Sequence, residues 1–108
     1  NLAWAYYNLG EFGSGLPYAE QVYNVAKSSV TIDTYAALLI SNKKERKAIE
    51  IISHSDNKSF LNASLKLTLI ESYISQNQLN EAKVIFNEFT QISDDLKERY
   101  NVISEQLN

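Results

Sequence analysis

The chain predicts an all-α fold built from stacked helix pairs and finished by a single helix. Three observations carry that prediction. Apolar residues recur at three- and four-residue spacing along almost all of the 108 residues. Short polar or glycine-bearing breaks interrupt that spacing at intervals, and a pattern of small and aromatic residues returns after each second break. The β-favouring stretches "AIEII" and "TLIESYI" lack period-2 alternation and flanking hairpin turns, so no strand is predicted.

The first helix is marked by Leu2, Ala3, Ala5, Tyr6 and Leu9, and Gly10 stops it. Gly10 to Leu16, with all three glycines, reads as a lengthened turn. Pro17 then fits the first turn of a second helix, where its missing N–H is harmless. Ala19, Val22, Tyr23 and Ala26 make that helix's apolar stripe, and "SSVTID" closes it. A third helix runs from about Thr31 or Asp33 to Ser41 on Tyr35, Ala36, Leu38, Leu39 and Ile40. After "SNKKE", Ala48, Ile49, Ile51 and Ile52 mark the fourth, and "SHSDNKS" is a polar loop. "FLNASLKLTLIESYIS" and "LNEAKVIFNEFTQI" are the fifth and sixth helices, parted by "QNQ". Ser93 is the expected N-cap of the seventh, with Asp94 and Asp95 favouring the same end of the helix dipole. Leu96, Tyr100, Ile103 and Leu107 form its one apolar stripe.

The second helix of each pair repeats. Ala19, Tyr23 and Ala26 are echoed by Ala48 and Ile52, then by Ala82, Phe86 and Phe89, at spacings of 29 and 34 residues. Leu2-Ala3 with Tyr6, Tyr35-Ala36 with Leu39, and Leu69-Ile70 with Tyr73 align in the first helices, and Gly10, Lys43 and Asn77 align at the turns. A small residue lets antiparallel helices approach, a large one fills the gap to the next pair, and a left-handed residue ends the first helix. One pair cannot bury both of its faces, so neighbours stack. In this alignment the first unit holds about four extra residues, the "GSGLP" region.

Composition narrows function more than it names it. Hydrophobic residues make up 44% and charged residues 21%, which suits one ordinary globular domain. The net charge of -3 argues against nucleic acid as a partner. No apolar run is long enough to cross a bilayer, so direct membrane contact is not expected. The absence of cysteine removes thiol catalysis, thiolate metal sites and disulfides. Asn1 in place of methionine reads as the start of a fragment, and the compartment stays open between a bacterial periplasm or envelope and the cytoplasm.

The chemistry-bearing motifs are weak. "GEFGSG" follows a helix rather than a strand and has no lysine after it, so it does not read as a phosphate loop. His54 in "SHSD" has triad residue types without a nucleophile elbow, and reads as a solvated loop residue. One histidine makes no structural zinc site. "KKERK" at 43–47 reads as a solvated turn and helix start, with a minor patch for an acidic partner as the alternative. No catalytic residue, cofactor or metal is expected, and the chain is not expected to be an enzyme.

The repeat resembles the tetratricopeptide repeat (TPR), carried by "NLAWAYYNLGEF…YAEQVYNVA", "TYAALLISNKKERKAIEII" and "LTLIESYISQNQLNEAKVIFNEF". Lys43 stands where glycine is usual, and no proline closes any unit. The resemblance implies a right-handed α-solenoid over 1–108, with units of about 1–29, 31–55 and 59–91 and a capping helix at 93–107. "NLAW", "YAEQVYNVA" and "DTY" also resemble a run in bacterial TPR proteins of envelope and exopolysaccharide systems. That implies a non-catalytic scaffold taking a protein or peptide in its concave groove. A peptide-sensing regulator and a self-associating homo-oligomer are the alternatives. The groove positions of the family fall on Trp4, Tyr7 and Asn8, on Asp33, Ala37 and Ser41, and on Glu71 and Ser75. Trp4 and Tyr7 share a helix face and either anchor a partner or pack on a preceding repeat.

Overall fold

The computed structural model describes residues 2–108; Asn1, where the first expected unit begins, lies outside the described residues. The described residues form α1 (Leu2–Asn8), α2 (Phe12–Val25), α3 (Ser29–Ser41), α4 (Glu45–Ser53), a 3₁₀ turn (Ser55–Phe60), α5 (Ala63–Ser75), α6 (Leu79–Phe86) and α7 (Asp94–Leu107). The all-helical class is as expected, with no strand among the described residues. "AIEII" lies in α4 and "TLIESYI" in α5.

Three turns share one backbone geometry. Gly10, Lys43 and Asn77 have φ of 76, 61 and 59°, the left-handed region. At each, two N–H groups fold back on the helix just ended. Gly10 and Glu11 donate to Tyr7 and Tyr6, Lys43 and Lys44 to Ile40 and Leu39, Asn77 and Gln78 to Ile74 and Tyr73, all within 2.8–3.0 Å. This is the Schellman arrangement, which satisfies carbonyls that a helix end leaves free. The next helix starts two residues after each left-handed residue.

That geometry corrects the register of the repeat. "GEFGSG" is no lengthened turn: only Gly10 turns the chain, and Gly13, Gly15 and Pro17 all lie inside α2. Counted from the turns, the residue matching Ala48 and Ala82 is Gly15, not Ala19, so the four-residue insertion disappears. All three are buried at the crossing of their pairs. Gly15 has the tightest crossing of the glycines: an added Cβ would lie 2.9 Å from the Tyr6 Cβ and 3.2 Å from the Ala3 carbonyl and Leu38. Pro17 removes one helical hydrogen bond, to the Gly13 carbonyl, but both residues are on the exposed side, where water can substitute.

The centre of the fold is α3. It buries Ile32, Thr34, Tyr35, Ala36, Leu38 and Leu39, packing on α1, α2, α4 and α5. It starts at Ser29, earlier than expected, because Ser28 and Thr31 form a reciprocal capping box. Tyr35 stacks obliquely on Tyr23 and donates to Glu20 Oε2 at 3.1 Å. Burial, and then the Glu20 carboxylate, push its phenol up to about 12. "SHSDNKS" is not an open loop. It makes most of the 3₁₀ turn, and Asn57 is fully buried there, donating to the Tyr23 hydroxyl and the Ile51 carbonyl at 2.8 Å each.

Odd-numbered helices adjoin in succession, α1 on α3, α3 on α5 and α5 on α7. Helix α6 ends at Phe86, shorter than its apolar pattern suggested. Ser93 precedes α7 as expected, but its side chain makes no capping hydrogen bond. Ile103 and Leu107 are buried with Leu67, Ile70 and Ala82, while Leu96 and Tyr100 flank them. Tyr100 stacks on Phe86 with ring centroids 4.6 Å apart and meets Phe89 edge-on.

Candidate functional site

The odd helices bring together one face of mixed chemistry. At the α1 end, Trp4 lies over Tyr7, rings 5.0 Å apart and 9° from parallel, and Tyr7 in turn leans on Phe12. Tyr7 is therefore half a core residue, while Trp4 stays 47% exposed. Trp4, Val30, Asp33 and Thr34 line a cavity of about 310 Å³. Residues 30, 33 and 34 share one side of α3, because they sit three and four positions apart. Burial raises the Asp33 carboxyl above its ordinary range, and the positive charge of Arg99 draws it part of the way back.

At the α7 end, Arg99 reaches across α5. Its guanidinium donates to Glu71 Oε1 at 2.6 Å, Thr68 Oγ1 at 2.7 Å and Ser64 Oγ at 3.3 Å. Ser64, Thr68 and Glu71 stand four and three residues apart, so one side chain spans two turns of α5. A second cavity of about 340 Å³ is lined by Glu71, Asp95, Glu98, Arg99 and Val102.

The predicted groove residues divide accordingly. Trp4 and Asp33 meet at one cavity, Glu71 joins the other, and Tyr7 supports Trp4 from below. Asn8, Ala37, Ser41 and Ser75 line neither. Ser41 and Ser75 spend their hydroxyls on the carbonyls of Ala37 and Ser72. Val30, Thr34, Thr68 and Arg99 were not predicted. The spacing of 30, 33 and 34 was legible, but the bond from Arg99 to a residue 28 positions earlier has no local signal.

Other features carry less. A cavity of about 460 Å³ is lined by α2 alone, so it is a furrow along one helix. His54 accepts from the Asp56 N–H at 3.1 Å, and both side chains are exposed, which makes it a turn cap. Among the described residues, no group of three or more His, Asp or Glu is placed to hold a metal, and no helix is long and apolar enough to cross a membrane.

A sequence profile of the family described as Base plate wedge protein 53 matches residues 5–67, more than half of the chain and all of α2, α3 and α4. Comparison with curated proteins and with solved structures returned no match. The match overturns the TPR resemblance, and with it the bacterial envelope or exopolysaccharide scaffold; it gives the peptide-sensing regulator and the self-association module no support. The reason lies in what the resembling residues do. A left-handed turn residue, a small residue at the crossing and a large one after it are what any stacked helix pair needs. They report packing, not ancestry or role.

Proposed function

This chain belongs to the base plate wedge protein 53 family, and on that premise we propose that it is a structural part of a phage base plate wedge, contacting neighbouring proteins and catalysing no reaction. The family match over residues 5–67 carries this reading. The face along the odd helices supports it, since aromatic, acidic and basic groups lie side by side there without a convergent catalytic set. The groove residues enter as contact points. Trp4, Asp33 and Glu71 are the principal ones, Tyr7 supports Trp4, and Asn8, Ala37, Ser41 and Ser75 lie outside both cavities. The finer architecture we carry as a proposal too: a right-handed solenoid of helix pairs, with α7 as its cap. The succession of contacts α1–α3–α5–α7 and the three matched turns support it.

The test is location. An antibody against this chain, applied to tailed particles of the phage that encodes it, labels the base plate. Purified base plates free of label, with the protein present in the same lysate, would overturn the reading.

A further inference from the structure

We infer that the cavity between α1 and α3 receives a lysine or arginine side chain from a neighbouring protein, held between the Trp4 ring and the Asp33 carboxylate. This rests on the structural role proposed above and names the chemistry of one contact.

Several observations converge. The Trp4 ring is oriented by its stack on Tyr7, lines the cavity and is 47% exposed. Tryptophan is the best aromatic host for a cation, and such contacts strengthen when desolvated. Asp33 supplies the negative charge, and among the described residues it makes no ion pair. Arg99, the cation that acts on it, is already committed to Glu71, Thr68 and Ser64. The cavity, about 310 Å³, is at the small end of ligand-sized pockets, which run from about 300 to 1,000 Å³. That suits one long side chain better than a folded element. Val30 supplies an apolar wall for its methylene stem. A partly buried carboxylate that makes no ion pair is costly, and an incoming cation lowers that cost while adding a charge-assisted hydrogen bond. The chain's net charge of -3 draws the same sign of partner.

Trp4 is the sole tryptophan, so its emission reports this cavity directly. The probes are the capped peptides acetyl-Gly-Arg-Gly-amide and acetyl-Gly-Lys-Gly-amide, with acetyl-Gly-Gln-Gly-amide at equal ionic strength as the control. The expected result is a saturable change with both cationic peptides, none with the glutamine peptide, and at least tenfold weaker binding in Asp33→Asn. Glu50→Gln, at an exposed carboxylate on α4 away from this cavity, should bind as the parent does, which separates this cavity from general attraction to an acidic surface. Methyl resonances of Val30 give a second readout that does not depend on the ring. No saturable response, or an equal response in Asp33→Asn with its melt intact, overturns the inference. Failure here with a labelled base plate rejects the cavity's occupant and leaves the structural role; an unlabelled base plate rejects the role whatever the peptides do.

Discussion

The two ends of the molecule handle the same problem differently. At the C-terminal end, the third helix pair is covered by α7, which buries Ile103 and Leu107 and clamps α5 through Arg99. At the N-terminal end, α1 presents Leu2, Tyr6 and Leu9 and α2 presents Tyr18, Val22 and Val25, each set at one-turn spacing. Tyr6 stacks on Tyr18 and joins the two rows. Leu2 is 52% and Leu9 73% exposed. One pair later, Tyr35 and Leu39, at the places of Leu2 and Tyr6, are only 2% and 1% exposed because they pack on the first pair. Large apolar side chains at the same places are thus more or less exposed according to whether another helix pair packs on them. A helix pair has two faces to cover, and this chain covers one end with its own last helix.

The sharpest test of that contrast is a matched pair of truncations. Ile103→Ala should cost about 2–4 kcal/mol, the range for deleting a buried aliphatic side chain, read from urea unfolding. Leu9→Ala, at the open end, should stay within about 0.5 kcal/mol. A large loss at Leu9 would break the comparison, since that end would then be covered in solution. Next comes the crossing of the first pair. Gly15→Ala should destabilise by about 1–3 kcal/mol through overpacking against Tyr6 and the Ala3 carbonyl. Gly13→Ala, with nothing nearer than Asn42 Oδ1 at 3.8 Å, should be neutral or stabilising by about 0.5 kcal/mol. Equal effects would mean the crossing is looser than it looks.

Smaller still is the middle turn. Lys43 holds a left-handed backbone without glycine's freedom, so Lys43→Gly should raise stability by about 0.5–1 kcal/mol in thermal melts. A loss there would show that the lysine side chain is needed.

The last test is pH. The unfolded Asp33 carboxyl releases its proton near 3.8, and the folded one holds it to higher pH because of burial. Between those points the folded chain carries the extra proton, so this group's contribution is fully present below 3.8 and is lost as pH rises through the folded value. Asp33→Asn should flatten that part of the stability profile. An unchanged profile would place Asp33 in water rather than at the cavity wall.

How far the sequence reached depended on how local the cause was. The left-handed turns at Gly10, Lys43 and Asn77 were legible, because a helix ends within a few residues of its own signal. So was the α7 stripe, because Ile103 and Leu107 stand four apart on one face. The glycine-rich stretch was misread. Three glycines and a proline have the propensity of a loop, yet α2 takes in Gly13, Gly15 and Pro17, and at Gly15 only glycine fits against Tyr6 and Ala3. Of the site, Trp4 and Asp33 were named only as groove positions that the TPR resemblance implied. Arg99 was invisible, since its partners on α5 lie 28 to 35 residues away. The family resemblance failed for the reason already seen: it rested on residues that any packed helix pair requires.

By itself, then, the sequence determined the helical class, three turns and the apolar stripe of α7, since periodicity and backbone preference act over a handful of residues; of the stripe expected for α2, Val22 and Ala26 are exposed and Gly15 is buried instead. Tertiary structure decided the rest. It chose helix over loop at Gly13–Pro17, buried Asn57 beside Tyr23, and set Asp33 and Arg99 on one face. It also made one apolar face core and its counterpart surface. Those outcomes depend on which helix lies alongside which, and contact energy across 30 residues of chain leaves no periodic trace in the residues that make it.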